Sequence, residues 1–283
     1  MSAPLPKTKL EEIAEVFANE SIKIDLKPFG EGSRLIAKYR KSMNDLVQSD
    51  PYMAYLGLGV LSSYEANYEN AISYFKAAER LDPISRSPKI NLSSCILLGG
   101  NLDGCIDLLF QYIDLYQDDK VMLEICLRVF HMFYYFDELE DLRRKNNNNT
   151  LFNEVFLNNK DDTPETEEFM SQTSLDKNVL RAMQLLATQE FFSRFSINSS
   201  FISNYTTYMD ADQLSEIIYI PKKLFGDMCA DGIQIIDEMN NSLQEKLTDL
   251  FLHYNNQSDS NSLLNSFRSF SIYFALDERV KKS

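Results

Sequence analysis

Residues Ser63–Pro83 read SYEANYENAISYFKAAERLDP. Small and aromatic residues recur in this stretch at helical intervals: Ala66, Tyr68, Ala71, Phe75 and Ala78, with Pro83 as a stop. Just upstream, PYMAYLGLGVLSSYEA sets Tyr52, Tyr55, Leu58 and Gly59 along one helical face. The link between the two stretches is too short for any path but an antiparallel helix pair. Gly59 and Ala71 let two backbones approach, Phe75 fills the gap above them, and Ala78 admits the next helix. The segment has no nucleophile, no clustered histidine and no phosphate loop. Such order without chemistry points to a binding scaffold.

Taken with their spacing, residues 52–85 resemble a tetratricopeptide repeat (TPR), a helix pair with a period of about 34 residues. Tyr55 matches the first-helix aromatic, Leu58-Gly59 the Leu-Gly pair, Tyr68 the turn aromatic, and Ala71, Phe75, Ala78 and Pro83 the second-helix series. The mid-helix tyrosine of the family is Ser62 here. One period on, residues 86–119 keep the register with weaker identities: Leu92-Ser93, Leu102, Cys105 and Leu109, with GGNLDG at the turn. Residues 120–145 keep a helical rhythm through Leu123, Cys126, Leu127 and Phe130, then YYFDELEDLRR as a truncated second helix. Such units cannot bury their faces alone, so three or more are expected to stack.

Upstream, Leu10, Ile13, Ala14 and Phe17 predict a helix over 8–19. A break at Pro28, Gly30 and Gly32 follows, then a second helix from Ser33 as N-cap to Val47, burying Leu35, Ile36, Tyr39, Met43 and Leu46. Residues 9–48 read as a degenerate first pair. The fold expected is mainly α: a TPR-like helical repeat domain over 1–145, an Asn-rich and acidic linker over 146–170, and a C-terminal module over 171–283. The linker is inferred from KNNNNT (145–150) and NNKDDTPETEE (158–168), polar tracts not expected to pack. A long amphipathic helix should follow, with Ser174 as its cap. EIIYIP (216–221) and SFSIYFALD (269–277) read as strands, with helical periodicity between them. The module is therefore either α+β or a continued helical cap; the cap is preferred, because period alone cannot assign short apolar runs.

Composition narrows the partners. The chain has 283 residues, a formal net charge of −14 and a sequence pI of about 4.7. A field of that sign repels nucleic acid and anionic membranes. The N-terminal sequence lacks the basic start and apolar run of a secretory signal, and no apolar run is long enough to span a bilayer. Cys95, Cys105, Cys126 and Cys229 form no CxxC pair and read as reduced core thiols. A soluble, cytoplasmic, acidic protein is expected, and sequons such as Asn198-Ser199-Ser200 carry no weight.

Catalytic candidates are few. His131 and His253 both lie among aromatics without repeated Cys, Asp or Glu partners, so they read as packed or rim histidines rather than metal ligands. In GDMCADG (226–232) two aspartates flank Cys229, which raises a thiol pKa rather than lowering it. DMCADGIQIIDE lacks the middle ligands of a calcium loop. No cofactor and no metal are expected.

The resemblance implies a groove lined by first helices that grips a peptide or helix. Carried over by register, its partner-binding positions are Met53, Leu56, Val60 and Tyr64, then Ile90, Ser94 and Leu97, then Glu124, Arg128 and His131. Family members that clamp acidic chaperone tails use Lys and Asn there, whereas Leu56 and Val60 stand here. The leading expectation is a non-enzymatic protein-binding adaptor or chaperone holding an apolar segment. A narrower form looks like the chaperones of type III secretion translocators, although residues 151–283 would then be an added extension. The alternatives are a regulatory or sensor subunit of a larger bacterial complex acting through the C-terminal module and, less favoured, an enzyme in 171–283. Whether the chain forms a homo-oligomer is left open.

Overall fold

Asp50 opens the helix pair at the centre of that reading. In the computed structural model its Oδ1 accepts from Met53 N–H at 3.1 Å, and Pro51 occupies the first turn, where a missing N–H costs nothing. Helix α3 (Pro51–Tyr64) follows, then α4 (Tyr68–Leu81), capped by Asn67 Oδ1 on Asn70 N–H. Residues 8–17, 21–23, 26–158, 163–196, 205–210, 213–228, 231–255 and 261–277 are described by the structure.

The turn from α3 to α4 is closed by two backbone bonds. Ala66 N–H reaches Ser63 O at 3.0 Å and Asn67 N–H reaches Ser62 O at 2.9 Å, with Ala66 left-handed at φ 59. This is a Schellman closure. The same closure follows α5 (Arg86–Leu98): Gly100 N–H to Leu97 O, Asn101 N–H to Ile96 O, and φ 90 at Gly100. It recurs after α7 (Lys120–Met132), through Tyr134 to His131, Tyr135 to Phe130, and φ 58 at Tyr134. Positions 66, 100 and 134 are 34 residues apart. So are the first residues of the second helices α4, α6 (Leu102–Leu115) and α8 (Phe136–Lys145), namely Tyr68, Leu102 and Phe136. Helices form where the sequence places them, and their turns keep its period.

Contacts divide the chain into two compact units, Met1–Cys105 with Ser193–Asn198, and Ile106–Phe192 with Ser199–Ser283, so the first division falls inside α6. In the first unit, a Cβ on Gly59 would sit 2.5 Å from Phe75 Cε1, inside the ring's contact distance, so only glycine fits there. Ala71, Phe75 and Ala78 are fully buried beside it. Helices α1 (Lys9–Phe17) and α2 (Glu31–Leu46) pack on α3 through Ile13, Phe17, Ile36, Tyr39 and Met43. A short antiparallel pair, β1 (Ser21–Ile22) with β2 (Phe195–Ser196), completes the unit, and Ser196 Oγ donates to Phe17 O. Helix α2 starts two residues before the expected Ser33 cap, at Glu31 after Gly30; Ser33 Oγ instead donates back to the preceding loop.

The second unit corrects two readings. The Asn-rich run packs: Asn146 is buried and donates to Leu142 O at 2.9 Å, while Asn149 Oδ1 accepts from Phe152 N–H at 3.0 Å. Helix α9 (Thr150–Asn158) then buries Phe152, Val155 and Phe156. Amide side chains both donate and accept, so a run of them can close a helix junction that composition alone reads as a linker. Of the acidic tract, residues 159–162 lie outside the described residues, and α10 (Thr163–Thr173) follows. Helix α11 (Lys177–Arg194) is capped by Asp176, whose Oδ1 accepts from Asn178 and Val179, not by the expected Ser174. Ser174 is the left-handed residue that ends α10.

The C-terminal module is α+β, so the preferred helical cap is set aside. Strands β3 (Tyr205–Asp210), β4 (Gln213–Pro221) and β5 (Phe270–Asp277) lie in the order β3-β4-β5, the first pair antiparallel and the second parallel. A parallel partner needs a long crossover. A 3-10 turn (Lys222–Met228), α12 (Gly232–Asn255) and α13 (Asn261–Ser269) supply it. Asn240 of α12 holds both backbone atoms of Phe274 in the edge strand β5, at 3.0 and 2.8 Å.

Candidate functional site

The register-derived positions fall on both units. On α3, Met53 and Val60 are half-buried, but Leu56 and Tyr64 are only 6% exposed. Tyr64 meets Phe17 edge-on at 4.8 Å, and Lys23 Nζ stands 5.4 Å from its ring. Helix α1 therefore draws Tyr64 into the core, and burial of Lys23 lowers its pKa to about 8. On α5, Ile90 is half-buried, Ser94 is exposed and Leu97 is buried. Leu56, Tyr64 and Leu97 are thus core residues. The open part of the stripe in this unit is Met53, Val60, Ile90 and Ser94.

Glu124, Arg128 and His131 belong to the second unit and are half-buried on α7. The His131 ring stands 6.3 Å from those of Phe136 and Phe156, in the packed setting expected of it. His253 is exposed beside Tyr254. Among the described residues, no three His, Cys, Asp or Glu side chains are grouped to hold a metal ion, and no helix is long and apolar enough to cross a membrane.

Cys95, Cys105 and Cys126 are buried. Burial pushes the Cys95 thiol up to about 11, with a Ser63 hydrogen bond pulling back, and the Cys105 thiol up to about 12. Neither supplies a thiolate at neutral pH. Cys229 and Asn198-Ser199-Ser200 lie outside the described residues.

Two polar arrangements escaped the sequence reading. Lys89, 34 residues after Tyr55, is 2% exposed; its Nζ donates to Pro83 O at 2.5 Å and stands 3.5 Å from Glu79. It ties the α4–α5 link in place. In the second unit, Tyr134 Oη donates to Glu216 Oε1 at 2.6 Å, both groups being buried. Arg181 Nε and Nη2 donate to the carbonyls of Phe133 and Tyr134 at 3.0 and 3.2 Å, with the guanidinium 3.6 Å from the Tyr135 ring centre. The signal for Lys89 was present in the sequence, as a lysine one period after Tyr55.

Compared with family models, curated proteins and solved structures, the chain matches none.

Proposed function

We propose that this chain is a non-enzymatic binding protein of the TPR kind, an adaptor or chaperone that holds an apolar segment of a partner protein along α3 and α5. The observation that carries this reading is the threefold Schellman turn at a spacing of 34 residues, the period of that family. Period and turn together favour a stacked helix-pair array, and such arrays work by surface rather than by reaction. Met53, Val60, Ile90 and Ser94 are the accessible lining positions. Three of the four are apolar, which matches an apolar partner segment. The buried thiols Cys95 and Cys105 suit a reducing compartment, so we place the protein in the cytoplasm.

The test is affinity purification from the native source, with the unaltered chain and a Met53→Glu, Ile90→Glu variant side by side. The reading expects a dominant protein partner that the variant loses while its thermal melt stays within a few degrees. Retention of the partner by a folded variant sinks the α3–α5 assignment. Leu56→Glu is unsuitable for this purpose, since a carboxylate at a buried site unfolds the pair whatever the surface does.

A second reading, a regulatory subunit acting through the α+β module, has one observation in its favour. Within the second unit, Arg181 and Glu216 join the third repeat turn to α11 and β4. A ligand on α7 or α8 would then be felt at the sheet. Hydrogen exchange at β4 with and without the purified partner separates the readings, because only the regulatory one expects a change there.

A further inference from the structure

Four described residues other than glycine have positive φ: Phe29, Ala66, Tyr134 and Ser174. Three of them end helices. Ala66 and Tyr134 close repeat turns, and Ser174 ends α10, where Leu175 N–H reaches Met170 O at 3.1 Å. Phe29 ends nothing. It occupies the third position of a tight turn, Lys27-Pro28-Phe29-Gly30, closed by Gly30 N–H on Lys27 O at 2.9 Å. Proline fixes a negative φ at the second position, so φ 65 at the third makes this a type II turn, where glycine is the residue of choice. The phenylalanine is 89% exposed. It bears backbone strain and leaves a whole ring in water, and glycine would avoid both. Ser33 Oγ, within 3.0 and 2.9 Å of the carbonyls of Leu26 and Lys27, braces the turn, so the ring is presented from a fixed base.

The charge of the segment that carries this ring and the start of α2 opposes that of the chain. Between Lys27 and Lys41 stand Lys27, Arg34, Lys38, Arg40 and Lys41 against the single acid Glu31, in a protein of net charge −14. Arg40 is committed to Glu65. Arg34, Lys38 and Lys41 are exposed, at intervals of four and three along α2, and so form one stripe.

We propose that Phe29 and the basic stripe of α2 dock an acidic peptide segment of a partner protein, its carboxylates on Arg34, Lys38 and Lys41 and its apolar side chains around the Phe29 ring. Charge complementarity selects the acid. The fixed turn selects a protein over a bilayer: a fluid lipid surface takes up a mobile ring as readily as a braced one, whereas an ordered complex gains from a side chain already in place. Nucleic acid would find one ring in this turn to stack on, where single-strand binders stack successive bases on several. This face is separate from the stripe on α3 and α5, and the proposal does not rest on that assignment.

A random phage-displayed peptide library, selected on the full chain and counter-selected on Phe29→Gly, tests it. Enriched peptides are expected to be acidic and to carry Leu, Ile or Phe. The best of them, by fluorescence anisotropy, should lose about tenfold or more in affinity, on the order of 1.4 kcal/mol, for Phe29→Gly and for Arg34→Glu with Lys38→Glu. Binding should weaken as salt rises. Phe29→Gly should melt no lower than the unaltered chain. If it does melt lower, the charge-reversed variant alone decides. Failure to enrich, enrichment of neutral or basic peptides, or equal binding to both variants overturns the proposal. So does binding of phosphatidylserine vesicles or polyuridylate that Phe29→Gly abolishes, which would give the face to lipid or nucleic acid.

Discussion

Ala66 and Tyr134 stand at the same point of the repeat, two periods apart, and their turns share both closing bonds and a left-handed φ. What surrounds them differs. Ala66 is exposed, and the next residue, Asn67, caps the following helix with its own side chain. Gly100 and Asn101 repeat this arrangement, with Asn101 Oδ1 on Gly104 N–H at 2.9 Å. Tyr134 is 1% exposed, and Tyr135 after it offers no cap. There the turn is held from a distance in sequence: Arg181 binds its carbonyls, Glu216 receives its hydroxyl, and Phe136 and Phe270 meet its ring edge-on at 5.9 and 6.3 Å. One backbone shape is thus maintained by two kinds of support, local capping in the first unit and tertiary burial in the second.

Tyr134→Gly breaks the contrast most sharply. Glycine suits the left-handed backbone, so a purely local turn would gain from it. Here the loss of a buried aromatic and of its hydrogen bond to buried Glu216 should dominate, costing about 3–5 kcal/mol. Urea unfolding followed by circular dichroism measures it. A neutral or stabilising result would mean that this turn is as local as the one at Ala66.

Arg181→Met comes next in size. It keeps the length and apolar body of the side chain while removing two charge-assisted bonds to carbonyls, an expected loss of roughly 1.5–3 kcal/mol. Hydrogen exchange should quicken at Tyr134 and Tyr135 and not at Ala66 and Asn67. Equal quickening at both turns would dissolve the distinction.

What could be read in advance follows the same line. The pair α3–α4 was legible because Gly59, Ala71, Phe75 and Ala78 each do one local steric job at a fixed spacing. The pair α7–α8 was legible only as rhythm, since Cys126-Leu127 and Leu139 fill the same places with ordinary core residues. Strands β4 and β5 showed through their β-branched and aromatic content. Glu216 did not: an acid in an alternating strand reads as outward-facing, and its partner Tyr134 is 82 residues away. The burial of Leu56 and Tyr64 was also hidden, because a register places a residue on a face without saying that α1 covers it. Exposure, as at Phe29, depends on what the rest of the chain leaves uncovered.

The cysteines give a smaller effect, confined to alkaline pH. Cys95 and Cys105 have folded pKa values of about 11 and about 12, above the ordinary thiol value of 9.0. A raised folded pKa means that their contribution to stability is complete below pH 9 and is lost as pH rises through 11 and 12. The melting temperature should therefore fall over that window, and more gently in Cys105→Ala. At pH 8 iodoacetamide should leave both thiols unmodified in the folded protein, as peptide mass spectrometry can show. Rapid labelling of either would mean that the first unit opens easily.

The smallest expected effect is the most exacting test of the repeat. Ala66 and Gly100 occupy the same exposed, left-handed position within one unit, one with a Cβ and one without. A Cβ in that conformation costs about 1 kcal/mol, partly offset by the extra freedom glycine has in the unfolded chain. Ala66→Gly should therefore stabilise by roughly 0.5 kcal/mol, and Gly100→Ala should destabilise by a similar amount. If the turns are equivalent, the double variant unfolds at the urea midpoint of the unaltered chain. Should it shift by more than the sum of the two single changes, the turns are coupled through α4 and α5, and equivalence by period fails where it is easiest to measure.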